Sequence, residues 1–121
     1  MQVVKGATLS LRGAHWAFLS EEALRTRARV PGKRTLSTSS VLREIVGSWI
    51  ASGCQRLELE PSRPTDLEPH SLALTQEQLF ALEEAAIQWS HGRRTFVDRS
   101  MLVRALIDRQ LPVERTGTAG K

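Results

Sequence analysis

Two stretches of the chain bring cations and hydroxyl side chains together where a helix would start: GKRTLSTSSVLREI at 32–45 and GRRTFVDRSMLVRAL at 92–106. The chemistry open to such residues is anion binding. The first turn of a helix has N–H groups with no partner inside the helix and carries the positive end of the helix dipole, so it attracts a phosphate. In the first stretch Thr38, Ser39 and Ser40 can clamp a phosphate backbone while Lys33 and Arg34 add charge. In the second, Arg93, Arg94 and Arg99 supply charge, but Asp98 at the cap position would repel a phosphate held directly there. Ser37 and Asp98 also read as plain helix caps, a role that leaves phosphate contact open in the first stretch.

Other chemistry is poorly supported. His15, His70 and His91 have no metal-ligand spacing to one another or to Cys54, and each is expected to be a surface or turn residue. Glu21–Glu22 and Glu83–Glu84 are adjacent pairs on helices, so they diverge and read as solvated faces. Trp16, Trp49 and Trp89 could stack on bases, but their helical spacing favours core packing. No glycine-rich phosphate loop and no nucleophile arrangement is present, so neither an enzyme nor a cofactor is expected.

The elements that must position the basic turns follow from periodicity. In residues 7–12, ATLSLR, Leu9 and Leu11 alternate with Thr8 and Ser10, the period of a half-buried strand. From Ala14, Trp16, Leu19, Ala23 and Leu24 fall at helical spacing, and Pro31–Gly32 ends that helix. A second helix is expected from Ser37 or Thr38 to Gly53, with Leu42, Ile45, Val46, Trp49 and Ile50 inward. Residues 54–69 hold three prolines and several acids without a sustained period and read as a linker. Then the order returns. Leu72 and Leu74 alternate, Thr75 with Gln78 resembles a capping box, and Leu79, Leu82, Ala86 and Ile87 make a helix face that stops at His91–Gly92. Asp98 caps a last helix with Val103, Leu106, Ile107 and Leu111 inward, and residues 112–121 are expected to be disordered.

The return is close enough to be an internal repeat. An offset of 63 matches Leu9 and Leu11 with Leu72 and Leu74, Trp16 with Leu79, Leu19 with Leu82, Ala23 with Ala86 and Leu24 with Ile87. It becomes 60 across the basic turn, then 61, which matches Ser39, Arg43, Ile45 and Val46 with Ser100, Arg104, Leu106 and Ile107. Both changes fall in the inter-helix turn, where insertions cost least. One strand with two short helices cannot bury its own apolar face, whereas two copies can pair strands and pack four helices into one core.

The totals fit one small domain. The 121 residues carry a net charge of +4, but residues 1–56 hold nine Lys and Arg against three Asp and Glu, and residues 57–121 hold eight against ten. The basic half points to a polyanionic partner. No run is apolar enough to span a bilayer and the start lacks a signal-peptide pattern; with a lone cysteine, this suggests a cytoplasmic protein with no membrane partner.

The pattern resembles the ribbon-helix-helix family, which includes the Arc and MetJ repressors, in TLSLR at 8–12 with STSSVLREIV at 37–46, and SLALT at 71–75 with DRSMLVRALI at 98–107. The resemblance covers residues 7–53 and 70–111. It implies a mainly α fold with a short two-stranded antiparallel ribbon, here as a single-chain pseudo-dimer of two repeats sharing one core. It also implies that the ribbon enters the major groove of double-stranded DNA. Thr8, Ser10, Ser71 and Ala73 would then face the bases, and Arg12 at the strand end would either join them or stay solvent-exposed at the start of helix one. Transcriptional repression and accessory binding in plasmid or phage DNA processing are the roles implied, with self-association on adjacent sites open. The alternative is a protein-interaction module of antitoxin type, whose ribbon would be covered by protein.

Overall fold

The computed structural model describes residues 4–29, 37–59, 64–93 and 96–111. Its elements follow in the order β1 (Val4–Leu11), α1 (Gly13–Arg29), α2 (Thr38–Ala51), β2 (Glu68–Thr75), α3 (Gln76–Arg93) and α4 (Arg99–Asp108). The fold is mainly helical, with one two-stranded antiparallel sheet. The expected turn at 31–36, part of the linker (60–63), Arg94–Thr95 and the tail at 112–121 lie outside the described residues.

The strands alternate as their sequence demands. Ala7, Leu9 and Leu11 on β1 and Leu72 and Leu74 on β2 are buried, while Thr8 and Ser71 are exposed. Both strands are longer than the alternation alone predicts, because Val4–Gly6 pair with Ala73–Thr75 and Glu68–His70 pair with Leu9–Leu11 through backbone groups that need no apolar pattern. In this register Thr8 lies opposite Ser71, the residue its offset of 63 assigns to it. The local two-fold of the ribbon therefore passes through that pair.

The helices pack crosswise on the ribbon: α2 lies against β2 and α4 against β1, so each half closes over the strand of the other. One core results, with Leu9, Leu11, Leu19, Leu42, Val46 and Trp49 from the first half packed with Leu72, Leu74, Leu82, Leu102, Val103 and Ile107 from the second. The helix starts are capped. Ser37 Oγ accepts from the Ser40 amide at 3.3 Å and Asp98 Oδ1 from the Met101 amide at 2.9 Å. Thr75 and Gln78 form the reciprocal box, each side chain accepting from the other's amide at 3.1 Å. At the far end of α2, Gly53 (φ 95°) and Cys54 (φ 55°) take left-handed backbone, the usual way a helix is turned off.

Several expectations need correction. Leu24 and Ile87, matched by the repeat, are both exposed, because each sits about 140° around its helix from the core residues Leu19 and Leu82. The segment after α2 is more than a linker, since Leu57 and Leu59 are buried in the core. His15 is buried as well: it occupies the Gln78 position of the first half, and its Nδ1 accepts from the Arg12 amide at 3.2 Å, doing with imidazole what Gln78 does with an amide. His70 is half-buried on β2, stacked on Trp16 with ring centroids 4.1 Å apart, whereas His91 is exposed as expected. Helix α4 ends at Asp108 instead of running to Leu111, and α3 continues through His91–Gly92 to Arg93.

Candidate nucleic-acid interface

Alternation along the ribbon puts Gly6, Thr8 and Ser10 of β1 and Pro69, Ser71 and Ala73 of β2 on the face away from the core, paired as Gly6–Ala73, Thr8–Ser71 and Ser10–Pro69. The four residues expected to face bases, Thr8, Ser10, Ser71 and Ala73, thus share one surface. Thr8, Ser71, Gly6 and Pro69 are exposed and Ser10 and Ala73 are half-buried. The polar groups offered there are hydroxyls.

The amino-terminal ends of α2 and α4 are tied to the two outer edges of this ribbon by matching clamps. Ser39 Oγ accepts from the Ala73 amide at 2.8 Å, and Arg43 Nη1 donates to the Ala73 carbonyl at 2.9 Å. In the other half Ser100 Oγ accepts from the Ser10 amide at 2.9 Å, and Arg104 Nη1 donates to the Ser10 carbonyl at 2.7 Å. Each Ser-x-x-x-Arg motif grips one residue of the opposite strand by both its backbone polar groups. A strand edge left bare would carry unpaired N–H and C=O groups, and the clamps satisfy those of Ala73 and Ser10. Arg104 is fully buried and directs its guanidinium to the Ser10 carbonyl from within the core. These bonds fix both helix starts beside the ribbon.

The expected phosphate-binding residues fare differently. Ser39 is turned toward the ribbon edge, so its hydroxyl serves the fold. The Ser40 amide is taken by the Ser37 cap, and its hydroxyl accepts from Arg43 Nη2 at 3.1 Å. Thr38, the half-buried first residue of α2, and Ser39 keep amides that have no partner inside the helix. Arg99 lies 3.6 Å from Glu83 on α3, and Asp98 caps α4, so the second helix start is more acidic than the first. Lys33, Arg34 and Arg94 lie outside the described residues, as does the side chain of Arg93. Arg12 reaches from the end of β1 to Asp66, its Nε 3.1 Å from both carboxylate oxygens, in an exposed pair.

The tryptophans pack within the protein. Trp49 is buried with its Nε1 donating to the Gln55 carbonyl at 2.8 Å, Trp89 meets it edge-on with centroids 6.4 Å apart, and the Arg56 guanidinium sits 5.1 Å from the Trp89 ring. Among the described residues no cluster of His, Cys, Asp and Glu could hold a metal ion, and no helix is long and apolar enough to cross a membrane. The sequence reading missed the clamps although their signal was present, since Ser39, Arg43, Ser100 and Arg104 recur at one offset, as surface residues rarely do. No protein-family model, curated protein or solved structure matches the chain, so geometry and sequence pattern carry the functional reading.

Proposed function

We propose that the chain is a single-chain ribbon-helix-helix protein that binds double-stranded DNA, with both strands of its ribbon in the major groove and the starts of α2 and α4 against the phosphate backbones. One observation carries this reading: the ribbon's outer face is exposed at its centre and bears hydroxyls, and two clamped helix starts flank it at positions related by its local two-fold. Because both strands belong to one chain, ribbon formation is independent of protein concentration. The basic first half and the more acidic second half make the two grips unequal. A repressor or an accessory DNA-processing factor would use such a ribbon in the same way.

The test is a binding titration against mixed-sequence duplex DNA at several salt concentrations. Affinity should fall steeply with salt, and replacing Lys33 and Arg34 by Gln should shallow the logarithmic slope by about one to two units. No measurable binding at low salt overturns the proposal. A second reading, a protein-interaction module, draws on the exposed Leu24, Phe80, Ile87 and Phe96. It is favoured if the duplex is not bound.

A further inference from the structure

The duplex-DNA reading, on which this inference rests, leaves open how the ribbon would tell one base pair from another. Its outer face lacks the usual instruments. Of Gly6, Thr8, Ser10, Pro69, Ser71 and Ala73, none has an amide or guanidinium that could make a paired hydrogen bond to guanine or adenine. The hydroxyls of Thr8, Ser10 and Ser71 can donate or accept, so they meet every base edge with little preference. Arg12 at the end of β1 is engaged by both oxygens of Asp66, and the Arg43 and Arg104 guanidiniums donate to the carbonyls of Ala73 and Ser10. Much of the strand backbone at the ribbon ends is already engaged: the N–H and C=O of Ala73 are held by Ser39 and Arg43, those of Ser10 by Ser100 and Arg104, and Pro69 has no N–H.

What this face does offer is carbon. The Ala73 methyl stands at one end beside Gly6, which contributes no side chain to cover it. The exposed Pro69 ring stands at the other end beside Ser10, and the Thr8 methyl group belongs to the central pair. Small side chains let the ribbon approach the groove floor closely. The one apolar group on that floor is the thymine 5-methyl. We propose that the ribbon selects DNA by thymine methyl groups, with Ala73 and Pro69 as the contact points. They stand four positions apart on β2, roughly 13 Å, or about four base steps.

The full chain should be titrated at low salt against four labelled duplexes of equal length: alternating A·T, the same duplex with deoxyuridine for every thymidine, alternating G·C, and the same with 5-methylcytosine. Uracil removes only the methyl, and 5-methylcytosine places one in the same groove on a G·C pair. The A·T duplex should be bound about fourfold more tightly than its uracil form for each methyl engaged, hence roughly tenfold or more for two. Methylation of the G·C duplex should tighten binding in the same direction. Ala73→Gly, which keeps the backbone grip of Ser39 and Arg43, should lower the thymine-to-uracil ratio about fourfold, with retained circular dichroism showing that the fold persists. Equal affinity for the thymine and uracil duplexes, with clear binding to both, overturns the methyl readout and leaves the DNA reading standing. Binding to none of the four overturns both.

Discussion

Ser39 offers a sharp test, because its position on a helix start suggests phosphate binding while its geometry assigns it to the ribbon. In Ser39→Ala the Ala73 amide loses the acceptor it now has at 2.8 Å, and in Ser100→Ala the Ser10 amide loses one at 2.9 Å. Both bonds are partly buried, so each loss should cost about 1–2 kcal/mol, the penalty of an amide left without its partner. The two sites have the same local chemistry and grip opposite edges of the ribbon, so the costs should be similar and nearly additive, about 2–4 kcal/mol for the double variant. Against the 5–15 kcal/mol typical of a domain, that ranges from roughly an eighth to about four-fifths of the total stability. Urea unfolding followed by far-ultraviolet circular dichroism should show both midpoints lowered with the slope unchanged, and each melting temperature should fall by about 4–8 °C. The affinity for duplex DNA should be unaltered in Ser39→Ala under conditions where it stays folded. An unchanged midpoint together with clearly weaker DNA binding would refute the assignment, since loss of a phosphate ligand would give that result.

Other outcomes follow from the same contacts. His15→Gln should stay within about 1 kcal/mol of the parent, because Gln78 does the same capping at the matched position, whereas His15→Ala should cost about 1–2 kcal/mol by the same denaturation assay. Leu57→Ala should cost about 2–4 kcal/mol, as for other buried leucines; a cost below about 0.5 kcal/mol would mark the segment after α2 as a mere tether. Residues 1–54 expressed alone should be unfolded or self-associated by circular dichroism and sedimentation, because α2 and β1 each pack on the other half; a stable folded monomer would contradict the shared core.

Periodicity made the elements legible. Leu9 and Leu11 announced β1 and Thr75 with Gln78 announced the start of α3, whereas the register that sets Thr8 opposite Ser71 is not specified by the repeat offset, which only matches equivalent positions. Packing across the repeat was not legible. Leu24 and Ile87 sit about 140° around their helices from Leu19 and Leu82, and Ala23 and Ala86 only about 40°. How wide an arc of each helix is covered is decided by the ribbon and the neighbouring helices. His15 looked like a polar surface residue because the sequence does not say that Asp108, 2.8 Å from its Nε2, closes over it. The candidate site was half legible: the outward face follows from alternation, but Ser39 and Arg43 were ambiguous, since a helix start attracts a phosphate oxygen and a strand-edge amide needs an oxygen, and the same serine suits either.

The crosswise clamps also bear on how the chain is made. The outer edge of β1 is closed by Ser100 and Arg104, which lie 90 and 94 residues further along. On a ribosome the first strand and both helices of the first half emerge long before those partners exist. Contacts of such sequence separation form late and slow folding, because a large loop must close before they form. The amino-terminal half therefore waits, incompletely packed, until α4 has emerged. Premature termination anywhere before α4 would leave an open strand edge, a natural target for proteolysis or for mispairing with another nascent chain.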